Sequence, residues 1–237
     1  MKANAPKRTR PLPFILGIAG ILIIVVIGAV VLRALLAEKV IGQESLPNLV
    51  LKASDVPPDL NSGSPQPLGS SNEEFANSFG VLQTSSPAQI LKQLNDLGRI
   101  IDAGFSYEPT ATDLCQYTNG PYMVNGKVDL FRSVKGAQQA FDWGKTFEGF
   151  YWTGLAGQEK LPEIGEQSWY GYDKGTQPIS TTCSAHRNFY RLFFQRANTN
   201  VWLQIFILDT SLPDDAVKKL IINYGKIIDQ RIIAYTR

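Results

Sequence analysis

Apolar residues follow three different rhythms along this chain, and each rhythm predicts a different element. The first is an unbroken run: from Leu12 to Leu32, LPFILGIAGILIIVVIGAVVL carries no charge. About 20 helical residues rising 1.5 Å each cross a hydrocarbon layer roughly 30 Å thick, and lipid obliges every backbone group to pair within the segment. A buried helix of a globular core would show a polar stripe. This run shows none, so it predicts a transmembrane helix over residues 12–36. A cleaved signal peptide would have a shorter apolar region ending in an A-x-A-like site, and Leu35-Leu36-Ala37 lacks the small residue two places upstream. An uncleaved signal-anchor is the expectation.

The second rhythm has a period of two. In KVDLFRSV, Val128, Leu130 and Arg132 alternate with Lys127, Asp129 and Phe131, the pattern of a strand with one buried face. GRIIDAGFSYEP and EQSWYGYD have strand-like apolar content, and NFYRLFFQR and VWLQIFIL flank ANTN as a hairpin whose central Asn198-Thr199 would make the turn.

The third rhythm is helical. Ser86 is placed to cap and Pro87 to open a helix through AQILKQLNDL, which Gly98 stops. Ser133 caps KGAQQAFDWGKTF, where Ala137, Ala140, Phe141 and Gly144 share a face. The chain closes on SLPDDAVKKLIINYGKIIDQRIIAY, capped by Ser211 or Asp214; Val217, Ile221, Tyr224, Ile228 and Ile232, with Leu220 and Ile227, form its apolar stripe. Between the apolar run and these elements lies LVLKASDVPPDLNSGSPQPLGSSNEEF, whose Pro, Ser, Gly and Asn suit loops. Such composition predicts a segment that is extended over the domain or mobile. The expected organisation is therefore a tail over residues 1–11, the membrane helix, a juxtamembrane segment over 37–80, and a domain over 81–237. Strands segregated from helices in this order predict an α+β fold, an antiparallel sheet with helices packed on it.

Charge sets the topology. The formal net charge is +2, yet Lys2, Lys7, Arg8, Arg10, Arg33 and Lys39 face a single acidic residue, Glu38, in the first 40 residues. The remainder is therefore net acidic, with no basic footprint for nucleic acid. The basic cluster before the apolar run keeps the N-terminus in the cytoplasm and sends the rest outside, a single-pass protein of the cell membrane. Cys115 and Cys183 then lie in an oxidising compartment, where an even pair is normally bridged. The predicted Cys115–Cys183 disulfide closes a long loop, worth on the order of 4 kcal/mol in the chain-entropy account. His186, beside Cys183, becomes a surface or strand-edge residue.

The succession VDLFRSVKGAQQAF, LPEIGEQSWY, FYRLFFQRANTNVWLQIFIL and DDAVKKLIINYGKIIDQRI, roughly residues 125–234, resembles a loose family of bacterial exported domains. It includes extracytoplasmic sensor domains of membrane-bound serine/threonine kinases and small lipoproteins of a PsbP-like α+β fold. The resemblance implies a ligand-binding or protein-contact module and carries no catalytic residues across. This chain offers one cysteine pair where those sensors tend to have two.

Motifs for catalysis are sparse. One histidine and no CxxC or HExxH leave no conventional zinc site. Gly144-Lys145-Thr146 mimics the end of a phosphate loop, but Gln139 stands where the first glycine is required. No GxSxG elbow accompanies His186. Glu73-Glu74 and Asp214-Asp215 read as helix-start charges that favour the macrodipole, and nothing singles out Glu148 and Glu163 as a catalytic pair. The expectation is a protein without catalytic activity, cofactor or metal.

The strongest surface candidate is an aromatic run of Trp143, Phe147, Phe150, Tyr151, Trp152, Trp169, Tyr170 and Tyr172, interleaved with glycines. Three readings compete: core packing, a hydrophobic or glycan-binding groove, and a contact face for a membrane or partner protein. Two functions follow, a binding or sensing ectodomain that takes a small ligand, or an accessory subunit docked to a membrane-protein partner. A pocket lined by Trp152 or Trp169 favours the first.

Overall fold

The computed structural model describes residues 40–60, 69–80, 86–109, 120–146, 155–180, 183–209 and 211–236. The segment expected to span the membrane, Cys115 and the stretch from Phe147 to Trp152 lie outside the described residues, and so does the expected disulfide. Among the described residues, no helix is long and apolar enough to cross a membrane.

The architecture is α+β. Among the described residues six strands, β1 (Arg99–Tyr107), β2 (Pro121–Phe131), β3 (Ala156–Glu159), β4 (Gln167–Ser180), β5 (Cys183–Arg196) and β6 (Thr199–Leu208), form one sheet in the order β1-β2-β6-β5-β4-β3, antiparallel throughout. The described helices are α1 (Asn72–Gly80), α2 (Pro87–Asp96), α3 (Val134–Thr146) and α4 (Asp214–Thr236). Ser86 caps α2 in a reciprocal box with Gln89, and the Ser133 hydroxyl accepts from Gly136 N–H at the start of α3. At α1 Ser71 and Glu74 make a second such box, and the hydrogen bonds that Ser71 gives the Glu74 carboxyl hold it below its ordinary pKa.

One face of the sheet carries the main apolar core. Val124, Val128, Leu203, Ile205, Leu192 and Phe194 project into a continuous core with the α4 stripe, whose Val217, Ile221, Tyr224, Ile228 and Ile232 are buried. Leu220 and Ile227 of that stripe are only partly buried against it. Gly225 lets α4 approach closely, since a Cβ there would stand 2.4 Å from Leu192 Cδ2.

The rest of this face is covered by residues 40–60, part of the stretch whose composition predicts a segment either extended over the domain or mobile. Three short 3-10 turns, Gln43–Asn48, Ala53–Asp55 and Pro58–Leu60, pack Leu46, Leu49, Leu51 and Leu60 into the core with no exposure. Polar ties hold the backbone: Arg231 donates to Val50 O and Asp55, Tyr107 OH donates to Leu51 O at 2.9 Å, and Asn198 exchanges hydrogen bonds with Ile41 N–H and C=O. Residues 40–60 are thus a structural strap laid over the domain, the first of the two expectations for the Pro- and Ser-rich segment, and they share a core with the sheet. The apolar spacing Leu46, Leu49, Val50, Leu51 outweighs the prolines and serines around it.

The hairpin turn also differs by one residue from expectation. Arg196 pairs with Thr199, so Ala197 and Asn198 make the turn, with Ala197 at φ 50°. Asn198 is claimed by Ile41 and Phe131 O, a tertiary role that fixes the register.

Candidate functional site

The second sheet face is mixed in chemistry, and the register shows why. Cross-strand rows run Asp129, Asn200, Gln195, Gln167, then Lys127, Trp202, Phe193, Trp169. A bulge between Arg99 and Ile101 turns Arg99 and Asp102 to this same face. Arg99, with a 1% exposed side chain, donates to Asp129, Asp102 and Asn72, while Lys127 Nζ lies 3.1 Å from Asp129 and 3.3 Å from Asp102. Two cations and two carboxylates balance. Burial works against the Asp129 charge, but Lys127 and Arg99 together hold its carboxyl below the ordinary range. The Phe75 ring on α1 caps the cluster, 3.9 Å from Lys127 Nζ and 4.8 Å from the Arg99 guanidinium.

α3 crosses this face, and recesses flank it. The larger, about 230 Å³, lies between α3 and the loop from β3 to β4. Phe141, Leu161, Pro162 and Ile164 give it apolar walls, and Trp169 forms part of its lining. Polar groups enter from Lys145, Lys160, Glu166, Gln167 and Ser168. Trp169 is half-buried and its indole N–H donates to Gln158 Oε1 at 3.2 Å, which orients the ring. Glu166 accepts from Ala197 N–H at 3.2 Å, so its carboxylate is anchored to the hairpin turn. Lys145 pairs with Asp142, whereas Lys160 is exposed and makes no ion pair among the described residues. The site therefore offers an aromatic wall, aliphatic edges and one exposed lysine, Lys160, outside any ion pair, without a nucleophile and base in contact among the described residues.

The aromatic run is divided by these surroundings. Tyr170 is buried at 2% exposure and Tyr172 packs partly buried against the aliphatic core, both on the opposite face from Trp169. Burial raises the Tyr170 phenol far above its usual pKa, helped by Glu159 and Asp214. Trp143 is half-buried against the small α1–α2 cluster. Alternation along β4 thus sends Trp169 to the recess and Tyr170 to the core. The residues missed from sequence are Phe141, Lys145, Lys160 and Glu166 as a group. They come from separate elements, and no local spacing links them.

The other sequence candidates settle into structural places. Gly144-Lys145-Thr146 occupies the last turn of α3, the wrong helix end for phosphate, which needs free N-terminal amides. Glu73-Glu74 and Asp214-Asp215 sit in the first turns of α1 and α4. Asp214 accepts from Lys174 and from Tyr190 OH at 2.7 Å, and these two bonds lower its pKa. His186 joins Asp209 through Nδ1 at 3.0 Å and through its backbone N–H at 3.1 Å, clasping the ends of β5 and β6. Among the described residues no group of three or more His, Cys, Asp or Glu side chains is placed to hold a metal. Cys183 opens β5 opposite Ser180.

No family model matches this chain, and no curated protein matches it. Among solved structures it is similar to the extracellular domain of PknH from Mycobacterium tuberculosis, at 12% identity and a TM-score of 0.44, over 82% of this chain and 100% of that one.

Proposed function

We propose that this chain is a single-pass, membrane-anchored extracytoplasmic binding domain without catalytic activity, which takes a small ligand in the recess beside Trp169. The observation that carries this reading is the 230 Å³ cavity in which Trp169 and Phe141 meet Lys145, Lys160 and Glu166. A concave site with apolar walls and a few convergent polar groups is the usual form of a small-molecule site. The ligand it suits has one apolar face to lie against the indole and polar groups, at least one of them anionic, for the lysine rim. The uncharged run of residues 12–32 and the basic residues before it support the anchor and its orientation.

Two measurements test the reading. Protease treatment of intact cells is expected to digest residues beyond 40 while leaving the tail before residue 12 protected; the reverse pattern sinks the topology. A ligand screen followed by tryptophan emission on the full-length protein is expected to yield compounds whose response is lost in Trp169→Ala and weakened about tenfold in Lys160→Gln. Compounds that bind both variants as well as the wild type would place the site elsewhere. Purification with a stoichiometric membrane protein, and no such compounds, would favour an accessory subunit.

A further inference from the structure

A separate recess borders the neighbouring flank of α3. Ala140, Trp143 and Gly144 share that flank, while Phe141 and Lys145, one residue further round the helix, face the Trp169 cavity. The Phe141 and Phe193 rings stack between them, 4.6 Å apart at 12°. This second recess, about 40 Å³ and open at its mouth, lies where α1, α2 and α3 meet the sheet. Its walls are largely rings: Phe75, Phe131, Trp143, Phe193 and Trp202.

Asn200 brings a polar side chain into this lining. Asn200 is 2% exposed; its Nδ2 donates to Ala137 O at 3.0 Å, but its buried Oδ1 accepts from nothing among the described residues. Buried acceptors are nearly always paired, because an unmade hydrogen bond away from water is costly. An aromatic recess with an idle acceptor in its lining is therefore complementary to an apolar body that brings a donor. The charges nearby narrow the choice further. Asp129 and Arg99 also line the recess, but each is already engaged, Arg99 with Asp129, Asp102 and Asn72. A ligand carboxylate would meet Asp129, and an ammonium would meet Arg99. The space is a few times the roughly 10–15 Å³ that one water needs, which suits the donor-bearing end of a small molecule with the remainder in the mouth.

We propose that this recess binds a compact neutral molecule with a ring-like apolar body and one hydroxyl or N–H group, which donates to Asn200 Oδ1. The site is independent of the Trp169 cavity and stands or falls separately.

The test uses full-length protein in lipid nanodiscs and fluorine NMR of two probes that differ by one donor, para-fluorophenol and fluorobenzene, with empty nanodiscs subtracting bilayer partition. para-Fluorophenol is expected to bind saturably and about tenfold more tightly than fluorobenzene. Gly144→Ala places a Cβ 3.2 Å from the Phe193 ring at the recess wall and is expected to weaken both probes about tenfold. Asn200→Leu is expected to abolish the preference between the probes, and Trp169→Ala to leave both affinities unchanged. Equal affinity for the two probes in the wild type, no saturable binding, or insensitivity to Gly144→Ala each overturns the proposal. If Asn200→Leu does not give a cooperative melt, the wild-type ratio and Gly144→Ala decide the matter.

Discussion

The two faces of the sheet are built on opposite principles. The face under α4 and the 40–60 strap is apolar and closed, with Leu192, Leu203, Ile205 and Val201 at essentially no exposure. The face under α1, α2 and α3 joins two small apolar clusters to a buried charge network and to recesses on either flank of α3. The difference lies in how each face is filled. A continuous set of aliphatic side chains with Phe and Tyr rings among them closes upon itself, as protein cores do. Largely buried lysine, arginine, carboxylates and amides, each with directional demands, leave gaps between them. The first face closes the main core, and the second leaves the recesses proposed above as sites.

The sharpest way to break this contrast is to unbalance the charge network. Arg99→Met removes the partner of two buried carboxylates and is expected to cost about 3–5 kcal/mol, read as a lower urea midpoint with unchanged slope. A loss below about 1 kcal/mol would mean that the second face carries little stability. On the apolar side, Leu49→Ala in the strap is expected to cost about 2–5 kcal/mol, as for a fully buried leucine; a near-neutral result would mean that the strap adds little to the core.

Acid should separate the faces without any substitution. The folded Asp129 carboxyl titrates below the unfolded value of about 3.9. Its contribution is therefore present above that pH and fades as pH falls through the lower folded value. Thermal melts of wild type and Asp129→Asn are expected to converge as pH drops from 6 toward 2, whereas wild type and Leu49→Ala keep their separation. Smaller effects mark the edges of the second face. Ser86→Ala should cost about 1 kcal/mol through loss of the α2 cap, and Lys92→Ala, in an exposed pair with Asp96, less than about 0.5 kcal/mol.

Much of the fold is legible in the order of the residues alone. Period-two alternation in KVDLFRSV and VWLQIFIL, the Ser86-Pro87 start and the Val217 to Ile232 stripe all mark elements that form, because each is set by neighbours within a few residues. Strand β3 has no such signal: its four residues, AGQE, carry no alternation, and it exists only because β4 offers an edge. The strap is hidden for a related reason. Its leucines are buried by strands and by a helix far away in sequence, so local composition speaks for the prolines and serines alone.

The site is half-legible. Trp169 stands out as part of an aromatic run, but its equal weighting with Tyr170 cannot survive strand alternation, which sends neighbours to opposite faces. Lys145, Lys160, Glu166 and Asn200 carry no local signal of shared purpose. Sequence by itself determined the uncharged run and its basic flank, the α+β class, the caps and the helical stripe, because these depend on the order of nearby residues. Only the tertiary structure decided which face each strand shows to which helix, that residues 40–60 close the core, and that Asn200 lies in the lining of a ring-walled recess. Those outcomes depend on register and packing between segments distant in sequence, where a shift of one residue would exchange core for surface.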